Sequence, residues 1–164
     1  MILKQLIDED FTNYKMASML LGFPRCTWKC EEGCGRRVCQ NGALAAAPDI
    51  DVDVKYLVGR YLANHITTAI VCGGLEPFDS PDDLVEFIDE FRSHCNDDVV
   101  IYTGYTEVEL FGNDAFISLK KHPNLVVKFG RYQPDKDAVY DEILGVWLAN
   151  SGQYARRITQ GGSC

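Results

Sequence analysis

Lys15-Met16-Ala17-Ser18-Met19-Leu20-Leu21-Gly22-Phe23-Pro24-Arg25-Cys26-Thr27-Trp28-Lys29-Cys30-Glu31-Glu32-Gly33-Cys34-Gly35-Arg36-Arg37-Val38-Cys39-Gln40-Asn41 is the stretch on which the reading of this chain turns. An apolar segment, Lys15–Leu21, reads as a first strand and runs into a loop holding Cys26, Cys30, Cys34 and Cys39. Thiolates are soft ligands, and four of them crowded among glycines and a proline select an iron–sulfur cluster, zinc or copper(I). The Cys-x3-Cys spacing of the first pair, with Gln40-Asn41 directly after Cys39, points to the iron–sulfur option.

Beyond that loop the apolar pattern alternates between strand and helix. Val52–Ala63 has helical spacing, and Thr68–Cys72 is a short apolar run typical of a strand covered on both faces. Ser80-Pro81-Asp82-Asp83 reads as a helix start, with Ser80 as N-cap and Pro81 in the first turn. The apolar face of that helix continues through Leu84, Val85, Phe87, Ile88 and Phe91. Val99–Tyr102 and Leu125–Lys128 read as a third and a fourth strand, Glu107–Lys121 as a helix and Gly145–Leu148 as a fifth strand. Such alternation predicts an α/β fold with a mostly parallel sheet, in a single domain over residues 1–164. Functional loops are then expected at the C-terminal ends of the strands. Both the cysteine loop and the turn Gly73-Gly74-Leu75-Glu76-Pro77-Phe78 fall on that edge.

Length and charge narrow the class. The 164 residues suffice for a substantial core, and a net charge of −8 opposes binding to nucleic acid or to anionic membranes. No signal segment is evident, and no apolar run approaches the roughly 20 residues needed to span a bilayer. A cytoplasmic protein is expected. Seven cysteines, an odd number with four bunched, argue for reduced thiols on a metal rather than a disulfide framework. Cys72 and Cys95 read as structural, and Cys164 ends a Gly-Gly-Ser-Cys tail. His65, His94 and His122 show no metal-ligand spacing.

Together these motifs resemble the radical SAM superfamily, and within it the small activating proteins of anaerobic (class III) ribonucleotide reductases. That family carries a Cys-x3-Cys-x2-Cys loop after strand one, often with Asn two residues beyond the third cysteine, and a Gly-Gly-Glu-Pro-like motif after strand two. Cys26, Cys30 and Cys39-Gln40-Asn41 match the first, and Gly73 to Phe78 the second. Tyr102-Thr103-Gly104-Tyr105-Thr106 is similar to the family's Tyr-Thr-Gly-Tyr. Val127–Tyr132 and Leu148–Gln153 resemble its strand-four and C-terminal segments. The likeness covers about residues 15–158. Two departures stand out. Eight residues separate Cys30 from Cys39 where the family has two, which makes Cys34 an alternative third ligand, and Leu75 stands where a further glycine is usual.

The resemblance implies a partial (β/α) barrel of the radical SAM type. Cys26, Cys30 and Cys39 would hold a 4Fe-4S cluster, and Gly73, Gly74, Leu75, Glu76, Thr103 and Lys128 would contact S-adenosylmethionine. It implies reductive cleavage of that cosubstrate to a 5′-deoxyadenosyl radical, which would abstract hydrogen from a glycine of a partner glycyl-radical enzyme, an anaerobic ribonucleotide reductase. An electron donor such as flavodoxin is implied as well. Arg25, Lys29, Arg36 and Arg37 could stabilise thiolates or could simply be solvated charges, and Trp28 and Tyr105 are candidates to stack on adenine. Two other readings remain open: a radical SAM enzyme with another substrate, and a structural zinc module using Cys26, Cys30, Cys34 and Cys39 for protein binding.

Overall fold

A computed structural model describes residues 1–159, so Cys164 lies outside the described residues. In chain order the elements are β1 (Ile2–Leu3), β2 (Gln5–Asp10), β3 (Ser18–Phe23), α1 (Lys29–Cys34), α2 (Gly42–Ala45), β4 (Ile50–Asp51), α3 (Val54–Ala63), β5 (Ala69–Gly74), a 3-10 turn (Pro77–Asp79), α4 (Pro81–Arg92), β6 (Asp98–Tyr102), α5 (Glu107–Leu110), α6 (Asp114–Leu119), β7 (Leu125–Phe129), β8 (Val139–Asp141), β9 (Val146–Leu148) and β10 (Tyr154–Arg157). The architecture is α/β, built on a six-stranded sheet of order β10-β7-β6-β5-β3-β2. Its four central strands are parallel, and β2 and β10 close the two edges antiparallel.

Strand periodicity sorts the core into two layers, because successive side chains point to opposite faces. Met19, Leu21, Phe23, Ile70, Cys72, Val99, Ile101, Leu125, Val127 and Phe129 face α3, α4 and α6. The intervening Leu20, Val71, Val100 and Val126 face Tyr14, Leu144 and Leu148 on the other side. Leu84, Phe87, Ile88 and Phe91 recur at helical spacing along α4 and are fully buried. Phe91 meets Tyr61 of α3 edge-on, with ring centroids 5.0 Å apart.

Several expected elements differ in detail. The Glu107–Lys121 helix is two helices, because Gly112 is a poor helix former and Asn113 caps a new start by accepting the Phe116 N–H. Gly145–Leu148 does contribute a strand, β9, but it pairs antiparallel with β8 outside the main sheet. The intervening turn is held by Asp141, which accepts the N–H groups of Ile143 and Leu144. The first strand begins at Ser18 and ends at Phe23. Ser80 occupies the N-cap position of α4, yet its buried hydroxyl has no hydrogen-bond partner. Cys72 is buried in β5, and Cys95 packs on the helix-side core, as a structural role requires. Among the described residues no helix is long and apolar enough to cross a membrane.

Candidate functional site

All four parallel strands deliver their C-terminal ends to one edge, and the sequence-predicted site residues collect there. Beyond β3 comes the cysteine loop. The last residues of β5 are Gly73 and Gly74, β6 is followed by Thr103, and Lys128 stands near the end of β7. In β-sheet register Gly22 pairs with Gly73 and Phe23 with Gly74. Between these ends and the β8–β9 hairpin lies a cleft of about 570 Å³, running from the thiols down the sheet face opposite α3, α4 and α6.

Cys26, Cys30 and Cys39 line this cleft, and Cys34 does not. The difference follows from local structure. Trp28 takes a left-handed conformation (φ 58°), and its N–H points to Cys26 Sγ at 3.2 Å. From there the inserted residues wind into α1, which carries Cys30 into the cleft. Glu31 accepts the Cys39 N–H at 3.4 Å and so folds the far end of the insertion back. Burial pushes the Cys26 thiol up to about 11 and raises Cys30 as well, though the Tyr132 N–H and the Lys128 ammonium pull Cys30 the other way. Both therefore hold their protons at neutral pH, and binding a metal would release them. Among the described residues, no three His, Cys, Asp or Glu side chains converge as a metal-holding group.

Three soft thiols nevertheless line one cleft, the donor type that iron–sulfur clusters take, and Gly104 sets no side chain against Cys30. A Cβ built on Gly104 would stand 3.6 Å from Cys30 Sγ and 3.5 Å from Glu76 Oε2.

The two glycines of the turn do different work. Gly74 has φ +90°, and a Cβ there would fall 2.7 Å from Gly22 Cα and from Phe23 N. It is required by the close approach of β3 and β5. A Cβ on Gly73 would meet only ordinary contacts, Tyr102 Cβ at 3.7 Å and Leu20 Cδ1 at 3.8 Å, so Gly73 is the glycine that keeps the cleft floor bare. Leu75 also lines the cleft.

Glu76 is buried and engaged within the protein. Its oxygens accept the Thr103 hydroxyl at 2.8 Å, the Gly104 N–H at 2.8 Å and the Phe78 N–H at 3.2 Å. Burial pushes its carboxyl up to about 7 against these donors. Lys128 is buried too. Its Nζ donates to the Gly130 carbonyl at 3.0 Å, and among the described residues no carboxylate forms an ion pair with it. Burial draws its ammonium down to about 8, while Glu76 and Cys30 pull upward.

Asp79 at the rim is a residue that no spacing in the sequence singles out. It accepts the Thr27 N–H and the Tyr105 hydroxyl, each at 2.6 Å, and so pins the cysteine loop to the segment after β6. Lys29 lies over the Tyr105 ring, 4.6 Å from its centroid. Of the four basic residues near the thiols, Lys29 faces Glu109 at 3.7 Å and Arg36 pairs with Asp135, while Arg25 and Arg37 are exposed. Trp28 and Tyr105 both line the cleft. His94 pairs with Glu90 and His122 with Asp89, away from the cleft.

Comparisons of the chain with protein families, curated proteins and solved structures return no match. The functional reading therefore rests on these residues and their arrangement.

Proposed function

We propose that this chain is a radical SAM activase: a partial-barrel protein that carries a 4Fe-4S cluster on Cys26, Cys30 and Cys39 and generates a glycyl radical on a partner anaerobic ribonucleotide reductase. The observation that carries the reading is the sharing of one cleft by those three thiols and the Gly73-Gly74 turn, with Cys34 outside it. Three thiolates leave one iron of such a cluster without a protein ligand. When bound, the reduced cluster would supply one electron to the sulfonium of S-adenosylmethionine, releasing methionine and a 5′-deoxyadenosyl radical.

The residues of the chain bind and orient. Gly73 leaves backbone bare on the cleft floor where a methionyl group can approach closely, and Gly74 holds the turn against β3. Lys128, a buried ammonium with no carboxylate paired to it among the described residues, is suited to a carboxylate in the cleft. Trp28 and Tyr105 line the cleft and offer aromatic surface for adenine. Thr103 helps hold the cleft edge in place through Glu76. An electron donor such as flavodoxin completes the cycle, and the cleft remains open for a macromolecular substrate.

Anaerobic reconstitution with iron and sulfide tests the reading. A brown protein that, once reduced, converts S-adenosylmethionine to 5′-deoxyadenosine and methionine supports it. A colourless protein that retains zinc on four thiols favours the interaction module instead. Cleavage without radical transfer to a class III reductase would leave a radical SAM enzyme acting on another substrate.

A further inference from the structure

Asn41 touches both halves of the cleft. Its side-chain Nδ2 donates to the Gly74 carbonyl at 2.7 Å, across 33 residues of sequence. Its backbone N–H points to Cys39 Sγ at 3.4 Å. One residue thus joins the third thiol to the turn that ends β5.

The alternative use of this side chain makes the bond informative. Asn41 is the N-cap of α2, where an asparagine ordinarily accepts an N–H from the first turn. Here the side chain makes no cap hydrogen bond. Its amide donates to Gly74 instead.

The two ends differ in rigidity. Gly74 is fixed by its register with Phe23, by the close approach of the β3 backbone, and by the bond from the Leu75 N–H to the Phe23 carbonyl. The Cys39 end hangs on an insertion whose α1 has no buried residues and whose Arg36–Asp135 pair is exposed. Exposed ion pairs of this kind stabilise little.

Resting on the radical SAM reading, we propose that Asn41 is a positioning residue that sets the third thiolate relative to the cosubstrate-facing turn, so that cluster and methionyl group meet in register. It acts through Cys39 and Gly74. Removing its donor should leave the cluster bound and weaken the cosubstrate.

The test compares Asn41→Ala and Asn41→Asp with wild type after anaerobic reconstitution. Iron and sulfide per chain, the thermal midpoint and S-adenosylmethionine affinity by calorimetry are measured on each, with the electron paramagnetic resonance spectrum of the reduced protein before and after cosubstrate. Iron content should match wild type, and the midpoint should fall by no more than about 4 °C. Affinity should fall about tenfold in Asn41→Ala, the scale of one lost hydrogen bond. It should fall further in Asn41→Asp, whose carboxylate would face the Gly74 carbonyl although Asp caps a helix as well as Asn. The spectral change on adding cosubstrate should need correspondingly more of it in both variants.

Wild-type affinity in both variants overturns the proposal and leaves the radical SAM reading standing. Loss of iron in parallel with affinity also overturns it, because Asn41 would then merely hold the loop together. A wild-type protein that carries a full cluster and binds no S-adenosylmethionine overturns the radical SAM reading itself, and this inference with it.

Discussion

Glu76 receives the backbone N–H of Gly104 at 2.8 Å, so the turn after β5 and the segment after β6 form one hydrogen-bonded unit. The Thr103 hydroxyl and the Phe78 N–H converge on the same carboxyl. A residue that the motif suggests as a cosubstrate contact thus acts first as a brace for the edge that Cys30 and Lys128 both line.

Replacing Glu76 should therefore cost stability before any chemistry is measured. Glu76→Ala leaves buried donors unpaired, a loss of about 1–3 kcal/mol. Glu76→Gln keeps one acceptor oxygen and should lose less. Urea denaturation at pH 7 measures both. Unchanged stability in Glu76→Ala would mean that the brace contributes nothing.

Gly73 and Gly74 should separate cleanly. Gly74→Ala drives a Cβ to 2.7 Å from the β3 backbone at a positive φ, so its thermal midpoint should drop well below that of wild type. Gly73→Val sets its Cβ at ordinary contact distance and fills the cleft floor, so its midpoint should fall less than that of Gly74→Ala while S-adenosylmethionine binding is lost. The glycine to probe for cosubstrate approach is accordingly Gly73. Calorimetry and thermal melting of both variants decide the matter, and binding retained by Gly73→Val would place the cosubstrate elsewhere.

Much of this arrangement is legible in the sequence, for identifiable reasons. Doubly covered strands announce themselves as apolar runs, and Ala69–Gly74, Asp98–Tyr102 and Leu125–Phe129 fall where such runs occur. Strands at the sheet edges carry mixed sequences. Gln5–Asp10 holds three acids and Tyr154–Arg157 two arginines, so neither shows the pattern of a buried strand. Gly112 and Asn113 are a visible weak point in Glu107–Lys121, yet the new helix start depends on a side-chain bond that periodicity does not report. Among the site residues the cysteines and glycines carry spacing. Asp79 carries none, because its role arises from two partners, Thr27 and Tyr105, brought together only by the fold.

Acid should weaken the rim in a defined window. The Arg131 guanidinium holds the Glu109 carboxyl down to about 2, below its ordinary 4.5. A depressed carboxyl contributes stability that is fully present above about 4.5 and is lost as pH falls toward 2. Glu109→Gln removes that contribution, so its stability should fall less steeply than wild type between those values. Denaturation midpoints in a pH series check this, and parallel curves for the two proteins would contradict it.

Lys128 is buried without an ion-pair partner among the described residues, and burying a charge opposes folding. Lys128→Met, which keeps the volume without the charge, should fold at least as stably as wild type while binding S-adenosylmethionine at least tenfold more weakly. Calorimetry and urea denaturation on the same preparation separate the two effects. A destabilised variant with intact binding would make Lys128 a structural residue.

The cysteines give the sharpest separation between a three-thiol cluster and a four-thiol zinc site. Cys26, Cys30 and Cys39 line the cleft and Cys34 lies off it. After anaerobic reconstitution, Cys26→Ala, Cys30→Ala and Cys39→Ala should each lose most of their iron and sulfide, because two remaining thiolates leave two irons of a cluster without protein ligands. Cys34→Ala should retain wild-type iron and the same visible absorption. A tetrahedral zinc site requires all four thiolates, so it predicts equal metal loss in all four variants. Metal analysis by mass spectrometry, with sulfide determined on the same samples, distinguishes the outcomes. Iron lost from Cys34→Ala but kept by Cys39→Ala would move the third ligand to Cys34, and with it the role of Asn41.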